Sequence, residues 1–299
     1  MSGAVPLKRP ASIPEMLERV GNLMSEASVG QALAFQAKPS DVFIATYPKC
    51  GTTWLQQMIH TLRTRGDMNF REITEVVPWL ELGLDMGIDV HGPQRGEPRA
   101  YKTHLPWGML PKGGRYITVF RNPKDVVVSQ FHFWNGWFFE AGAVSVDDIA
   151  EHMFLDMRSP LNYWSHFADF WPLRGRDDVL LLCFEKMTDD PERAVRSVAD
   201  FIGCPLDEAL LALTLRQSSV SFMREHVTQF DDHLFREARD AACGIPPGGD
   251  SAKVRKGGVG EGAGELSDQT CRRIDAVWRE QLGARFGLPS YEALVETFS

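Results

Sequence analysis

Residues able to bind an anion are concentrated in the octapeptide YPKCGTTW, Tyr47–Trp54. An apolar run, DVFIA, precedes it and an amphipathic run, LQQMIHTL, follows it, so it is predicted to join a strand to a helix. Backbone N–H groups at a helix N-terminus attract anionic oxygens. Gly51 lets the backbone approach closely, Thr52 and Thr53 add hydroxyl groups, and a lysine, Lys49, adds charge. The octapeptide predicts a phosphate-binding loop; the alternative is a tight turn with a threonine cap.

A second candidate is YKTHLP, Tyr101–Pro106, at the end of a predicted strand. Ligands bind outside the carboxyl ends of strands in open α/β sheets. Lys102 and His104 alternate to the same side of an extended chain, so both can face one site. A histidine titrates near neutral pH and suits removal of a proton from a hydroxyl. The pair predicts general-base chemistry; the alternative is a hydrogen-bonded structural histidine.

A third candidate, RNPKDVVVSQFHF, Arg121–Phe133, again places a polar turn between a strand and a helix. The guanidinium of Arg121 can hold a second phosphate through two hydrogen bonds. Ser129 follows inside the predicted helix. The alternative interpretation is a capped helix in which Asp125 pairs with a lysine.

A fourth candidate, Arg255, Lys256 and Gly257, lies in a glycine-rich stretch. A basic pair beside glycines is usually a solvated loop, but with the first three candidates it adds donors for a ligand with several phosphates. From about residue 228 to 264 the sequence shows neither helical nor strand periodicity. This segment predicts a mobile loop that closes over an anion.

The stretch FHFWNGWFF, Phe131–Phe139, is densely aromatic. Aromatic clusters usually form core, and they also wall apolar ligand pockets. The predicted residues of an acceptor pocket are Trp79, His132, Phe133 and Trp137.

Apolar runs predict the strands that position these residues. The predicted strands of this kind are Asp41–Tyr47, Arg115–Arg121 and Asp178–Glu185, and a shorter strand, RAYKTH, ends at His104. Nearly continuous apolar composition is typical of parallel strands covered on both faces. Helical periodicity fills the gaps, and Ser267 is the predicted N-cap of a late helix. The predicted fold is a single three-layer α/β/α domain over residues 1–299 with a central parallel sheet, in which residues 1–38 form an N-terminal extension and helix.

Composition limits the partners. The 299 residues include 40 acidic and 32 basic side chains, a formal net charge of -8, so a general nucleic-acid or anionic-membrane surface is not expected. No run has the length of a membrane span or a signal peptide. Five cysteines without metal-ligand spacing predict reduced thiols and a cytoplasmic location.

The four candidate elements, in this order between Tyr47 and Gly260, resemble the cytosolic sulfotransferase family. Weaker similarity through LNYWSHFADFW and FEKMTDDPERAVRSVADFIG extends the resemblance over nearly the whole chain. Members transfer a sulfuryl group from 3′-phosphoadenosine 5′-phosphosulfate (PAPS) to a hydroxyl or amine and release 3′-phosphoadenosine 5′-phosphate (PAP). The resemblance implies a P-loop-kinase-like sulfotransferase fold, in agreement with the predicted parallel sheet.

The resemblance also implies roles for the matching residues. Lys49 would stabilise charge on the oxygen that leaves sulfur, His104 would take the acceptor proton, and Lys102 would neutralise the sulfuryl oxygens. Thr52 and Thr53 would hold the 5′-phosphate. The residues implied in binding the donor, from the phosphates to the adenine, are Lys49, Cys50, Gly51, Thr52, Thr53, Trp54, Arg121, Ser129, Phe184, Ser218, Arg255, Lys256 and Gly257. Ser129 has two implied roles: it would bind the 3′-phosphate, and it belongs with Lys49, Lys102 and His104 to the predicted catalytic residues.

Some positions depart from the family pattern. Cys50 replaces a serine, and Phe184 replaces a tyrosine that contacts adenine in many animal enzymes. Val220 replaces an aromatic residue, for which Phe222 is a candidate substitute. From Gly260, GEGAGELS replaces a GDWKN-like continuation, which predicts a loop that closes differently over the donor. The dimerisation motif of many animal enzymes is absent, so a monomer or a dimer built on another surface is expected.

The sequence therefore predicts a cytoplasmic, PAPS-dependent sulfotransferase with no metal. Its predicted partner is an apolar or aromatic small molecule sulfated on a hydroxyl or, as second choice, an amine; neither nucleic acid nor membrane is expected.

Two alternatives stay open. A P-loop nucleotide kinase needs its lysine after the glycine and a carboxylate for Mg²⁺, whereas Lys49 precedes Gly51. A silent PAPS-binding protein would have no use for His104 and Lys102.

Overall fold

The four predicted strands form one sheet in a computed structural model that describes residues 7–298. They are β1 (Val42–Ala45), β2 (Ala100–Thr103), β3 (Arg115–Phe120) and β4 (Val179–Cys183). The strand order is β2-β1-β3-β4, and every neighbouring pair is parallel. This confirms the predicted single α/β domain with a central parallel sheet.

Helices cover both faces of this sheet. Within residues 7–298 the α-helices are α1 (Ile13–Val20), α2 (Glu26–Leu33), α3 (Thr52–Thr64), α4 (Pro123–Trp137), α5 (Val146–Ile149), α6 (Tyr163–Phe170), α7 (Phe184–Asp189), α8 (Pro191–Ile202), α9 (Glu208–Gln217), α10 (Val220–Glu225), α11 (His233–Arg239), α12 (Gly262–Glu265), α13 (Asp268–Trp278), α14 (Ala284–Phe286) and α15 (Tyr291–Glu296). Two π-helical turns, Ala150–Phe154 and Arg279–Gly283, continue α5 and α13. Short 3-10 turns lie at Ile73–Glu75, Leu80–Leu82, Trp107–Met109, Trp171–Leu173 and Val227–Gln229.

The apolar strand residues are divided between the two faces of the sheet. On one face Phe43 stacks between Tyr101 and Tyr116, with ring centroids 5.5 Å apart in both pairs. On the other face Ile44 belongs to a cluster that includes Met58 of α3. All four residues of β1 are fully buried, which explains why the sequence of this strand is uniformly apolar instead of alternating.

Local signals set the starts of the helices that carry site residues. The side chain of Asn122 caps α4 by accepting a hydrogen bond of 3.0 Å from the Lys124 N–H, and Pro123 follows at the first helical position. Ser267 caps α13 through the Thr270 N–H at 3.2 Å, as predicted. Both caps satisfy N–H groups that have no partner inside their helix.

The segment from 228 to 264 differs from its prediction, because it contains α11 and the start of α12. Helix α11 is short, and its Phe235 is fully buried. The centroid of the Phe235 ring lies 5.3 Å from that of Trp79 and 5.4 Å from that of Trp137. Such a helix is stabilised by tertiary packing of one large side chain, which leaves no periodic signal in the sequence. The predicted N-terminal helix is also present, as α1 and α2.

Residues 7–298 contain neither a membrane-spanning helix nor a cluster of metal ligands. No helix between residues 7 and 298 is both long and apolar enough to cross a membrane. Over the same residues, no group of three or more His, Cys, Asp or Glu side chains is arranged to hold a metal ion.

A buried ion pair joins the amino ends of β1 and β2. Arg99 donates two hydrogen bonds to Asp41, at 2.8 and 2.6 Å, and the two side chains are 6% and 0% exposed. Breaking a buried pair leaves a charge without a partner. We expect Asp41→Asn to lower the free energy of unfolding by about 3 kcal/mol, measured by denaturant titration.

The matched control for this substitution is Asp178→Asn. Asp178 accepts the same two-bond contact from Arg176, but those side chains are 36% and 52% exposed. A loss below about 1 kcal/mol is expected there, because solvent screens an exposed pair. Equal losses at the two sites would show that burial of the Asp41 pair adds nothing.

Candidate active site

All four strands deliver residues to one cavity of about 830 Å³ at their carboxyl ends. The loop after β1 contributes Lys49, His104 follows β2, Arg121 follows β3, and Phe184 follows β4. Parallel strands end at the same edge of a sheet, so residues distant in sequence meet there.

Most of the predicted site residues line this cavity. They are Lys49, Gly51, Thr52, Thr53, Trp54, Trp79, Lys102, His104, Arg121, Ser129, Phe133, Trp137, Phe184, Ser218, Arg255, Lys256 and Gly257. Cys50 and His132 are not among the lining residues. Cys50 is fully buried and its N–H donates to the Tyr47 carbonyl at 3.2 Å, so this N–H is not free to bind the donor as the resemblance implies for Cys50. The Nε2 of His132 lies 2.7 Å from Glu265 Oε2, which corrects its prediction as an acceptor-pocket residue.

The loop between β1 and α3 has the backbone of an anion-binding turn. Lys49 and Gly51 both have positive φ, at 69° and 94°, and such alternation turns successive N–H groups towards one point. The N-cap of α3 is Gly51 without any side-chain cap, so the alternative of a threonine-capped turn is wrong. Thr52 instead shares a 2.6 Å hydrogen bond with the hydroxyl of Thr46. The first-turn N–H groups of α3 therefore remain available to a ligand.

A carbonyl contact fixes the ring of His104. Its Nδ1 lies 2.7 Å from the carbonyl oxygen of Thr46, and a carbonyl can only accept, so Nδ1 carries the proton. In a neutral ring Nε2 is then the basic nitrogen. Burial, together with the charge of Lys102, holds the pKa of His104 well below its usual value. At neutral pH the ring is therefore unprotonated at Nε2 and able to accept a proton.

Glu81 supports the backbone of His104. Its Oε1 accepts a hydrogen bond of 2.7 Å from the His104 N–H, and burial raises the pKa of this carboxyl. Sequence reasoning missed Glu81, because nothing in its local sequence distinguishes it from a surface glutamate.

Two lysines line the cavity, Lys102 buried and Lys49 half-buried. Burial and the neighbouring charge of Lys253 lower the pKa of both Lys49 and Lys102 to about 7. The Nζ of Lys49 lies 4.3 Å from the centre of the Phe133 ring, and that of Lys102 lies 3.6 Å from the centre of a Trp79 ring. Aromatic faces stabilise these cations where no anion is bound, so both lysines are placed to receive a negatively charged group.

Asp232 and Lys253 form an ion pair on the cavity wall that the sequence did not predict. Burial alone would raise the pKa of Asp232, but the charges of Lys253 and Lys102 lower it to about 2. Asp232 and Ala252, the neighbour of Lys253, have positive φ of 59° and 45°. Backbone strain at both ends of one ion pair is typical of functional sites. Only Lys253 carried a sequence signal, since it lies two residues before Arg255.

One end of the cavity is built from Trp54, Phe184 and Arg121. The rings of Trp54 and Phe184 meet edge to face at 5.7 Å, and the Arg121 guanidinium lies 4.2 Å from the Phe184 ring centre. Among the described residues the buried Nε1 of Trp54 has no hydrogen-bond partner. Val220 lines this cavity, whereas Phe222 stacks on His226 at 4.1 Å and is not in the lining. Phe222 therefore does not take the place of the aromatic residue that the family pattern has at the position of Val220.

The GEGAGELS segment supplies carboxylates to the basic loop. Arg255 pairs with both Glu261 and Glu265, and Glu261 lines the cavity. Arg121 donates one hydrogen bond to the Lys49 carbonyl at 2.9 Å and another to the Gly258 carbonyl at 3.2 Å. Both predicted arginines of the 3′-phosphate site are thus held by contacts within the chain.

A second group of aromatic side chains lines the cavity. Trp79 and Phe133, both predicted for an acceptor pocket, line the cavity beside Lys102 and Lys49, and Phe235 of α11 joins them. Trp137 is fully buried and donates its Nε1 hydrogen to Asp240 at 2.8 Å. These aromatic side chains therefore offer a ligand an apolar surface with a fixed shape.

Comparison with known proteins identifies the class to which this fold and site belong. Residues 39–286 match the family model of the sulfotransferase domain, so the chain belongs to the sulfotransferase family and is an enzyme that transfers sulfuryl groups. This excludes the nucleotide-kinase alternative.

Individual relatives are similar over most of the chain. Sulfotransferase 1C2 of Rattus norvegicus is 27% identical over 308 residues, covering 95% of each chain. Retinol dehydratase, solved with androsterone and the inactive cofactor PAP, has a TM-score of 0.70 at 20% identity over 93% of this chain and 96% of that one. Mouse sulfotransferase SULT7A1, solved with PAP, has a TM-score of 0.65 at 23% identity over 87% and 90%. Both structures share the fold of this chain.

Proposed function

We propose that this enzyme transfers the sulfuryl group of PAPS to a hydroxyl of an apolar or aromatic small molecule, with His104 as general base. The observation that carries the proposal is the placing of His104, with Nδ1 fixed on Thr46, in one cavity with Lys49 and Lys102. A base and two cations that line one cavity suit a transfer in which a proton leaves the acceptor while negative charge develops on the donor.

The residues around the loop fit a phosphorylated nucleotide. The first-turn N–H groups of α3 and the hydroxyl of Thr53 would hold the 5′-phosphate, and Trp54 with Phe184 would bind adenine. The unpartnered Nε1 of Trp54 supports this assignment, because a buried donor is costly unless a ligand satisfies it. Arg121, Ser129 and residues 255–257 would hold the 3′-phosphate. When bound, PAPS supplies the sulfuryl group and PAP is released.

The protein's own residues then have separate tasks. The Nε2 of His104 takes the proton from the acceptor hydroxyl as the acceptor oxygen bonds to sulfur. Lys49 stabilises the charge on the oxygen that leaves sulfur, and Lys102 neutralises the sulfuryl oxygens. Positioning and charge stabilisation account for the catalysis, as in phosphoryl transfer through a loose transition state.

The acceptor binds against Trp79, Phe133 and Phe235. A hydroxyl is favoured over an amine because Lys49 and Lys102 would repel an ammonium group in this cavity. A cytoplasmic location and an assembly that avoids the animal dimer motif remain predictions.

Calorimetric titration with PAP tests this function. We expect PAP to bind, and ATP with Mg²⁺ not to bind. Arg121→Ala should weaken PAP by roughly tenfold to a hundredfold, since one charge-assisted contact with phosphate is lost. Binding of adenosine 5′-phosphosulfate, which lacks the 3′-phosphate, should change far less.

Arg272→Ala is the matched control, because this arginine is exposed on α13. Its PAP affinity should equal that of the wild type. Absence of PAP binding to the wild type would remove the donor assignment. PAP binding without turnover on any phenol, alcohol or amine would favour the silent binding protein instead.

A further inference from the structure

The strongest unexplained contacts outside the catalytic centre surround Arg255. Its guanidinium pairs with Glu261 through one nitrogen and with Glu265 Oε1 at 3.5 Å through the other. Arg255 and Glu261 are largely buried, with side chains 24% and 13% exposed. A carboxylate on a guanidinium has the charge and planar geometry that a phosphate would also satisfy.

The same segment engages the second arginine of this region. Arg121 donates to the Gly258 carbonyl at 3.2 Å, and an oxygen of Glu261 lies beside Gly258, 3.0 Å from the position of an added Cβ. Both arginines assigned to the 3′-phosphate are therefore in contact with one stretch of chain, residues 258–265.

Several contacts hold this stretch against α4. The carboxylate of Asp125 accepts hydrogen bonds from the N–H groups of Gly260 and Gly262, at 2.8 and 2.7 Å. A Cβ on Gly262 would lie 2.5 Å from Lys124 Cβ, so the backbone fits closely only without a side chain. At the far end, Glu265 Oε2 is 2.7 Å from His132 Nε2. The position of Glu261 is thus set by the fold and not by a freely mobile side chain.

We infer that Glu261, assisted by Glu265, is a specificity-determining residue that occupies the 3′-phosphate subsite when no donor is bound. The inference rests on the proposed function, because it assumes that Arg255 binds the 3′-phosphate. A 3′-phosphorylated nucleotide must displace the carboxylates from Arg255. A nucleotide without this phosphate leaves the pair in place and bears no such cost. Glu261 therefore weakens the binding of PAP selectively. It reduces the enzyme's discrimination between nucleotides with and without a 3′-phosphate.

Calorimetric titration of Glu261→Gln with PAP and with adenosine 5′-phosphosulfate tests this. Glutamine keeps the size of the side chain and removes its charge. We expect PAP to bind about fivefold more tightly, the effect of releasing one partly screened ion pair, and adenosine 5′-phosphosulfate to bind unchanged. The double variant Glu261→Gln with Glu265→Gln should bind PAP about tenfold more tightly than the wild type, for the same reason. Glu280→Gln, an exposed residue of the π-helical turn after α13, is the control and should bind both ligands like the wild type.

A double-mutant cycle with Arg255→Ala completes the test. In that background Glu261→Gln should give no gain, because no guanidinium remains to be released. Tighter binding of both nucleotides, or an equal gain without Arg255, would show a general charge effect and overturn the inference. Unchanged or weaker PAP binding by Glu261→Gln would also overturn it while leaving the sulfotransferase proposal intact. Absence of PAP binding to the wild type and every variant would overturn both.

Discussion

Replacing His104 by alanine is expected to lower kcat by about 10²–10⁴-fold while PAP binding stays nearly intact. The physical reason is the fixed tautomer of the ring. The Nδ1–H is held by the Thr46 carbonyl at 2.7 Å, so Nε2 is the atom able to take the acceptor proton, and alanine leaves no group to replace it. Steady-state kinetics with labelled PAPS and titration with PAP provide the two readouts.

His91→Ala is the control for this substitution. His91 is exposed and stacks on Phe35 at 5.1 Å, and its carbonyl contacts Arg99 at the amino end of the sheet, away from the cavity. It should keep full turnover. If His104→Ala lost PAP binding along with activity, His104 would be a structural residue and the general-base assignment would fail.

Lys49→Met is expected to lower kcat/KM by about 10²–10³-fold, the loss seen when one preorganised charge-stabilising donor is removed. Methionine retains the apolar stem that reaches Phe133 but has no charge. Lys112→Met is the matched control, since this exposed lysine also lies over an aromatic ring, 3.6 Å from the centre of Trp107. It should keep wild-type kinetics.

Proton uptake gives a second readout for Lys49. Its pKa and that of Lys102 are about 7 in the free protein, so at pH 8 both are mostly neutral. A bound anion raises these pKa values, and PAP binding at pH 8 should therefore take protons from solution. At pH 6 the lysines are already charged and the uptake should nearly vanish. Calorimetry in buffers of different ionisation enthalpy measures this, and Lys49→Met should lose part of the uptake at pH 8. Uptake equal to that of the wild type would exclude Lys49 as a titrating group.

The sequence predicts the sheet and much of the cavity lining for one physical reason. Three of the four strands are nearly continuous apolar runs. In a parallel sheet the carboxyl ends of the strands converge, so motifs at strand ends must meet. Lys49, His104 and Arg121 are predicted in this way, whereas Phe184 is implied only by the family resemblance.

The residues that were missed lack such a signal. Asp232 and Phe235 are brought to the cavity by α11, a helix held by tertiary packing and not by periodicity. The sequence draws attention to Glu261 only because GEGAGELS, which contains it, departs from the family pattern. Its contact with Arg255 depends on the path of a glycine-rich segment over α4, which composition does not encode.

The strand order separates two tasks that could be altered independently. The anion-binding loop and Arg121 follow β1 and β3, the two inner strands, each hydrogen-bonded on both sides. His104 and the Trp79 contact belong to the outer strand β2, which pairs with β1 and, through one bridge, with Trp79. An engineer seeking a new acceptor would therefore redesign the margin formed by β2, Trp79 and α11, and leave the loop after β1 and Arg121 unchanged.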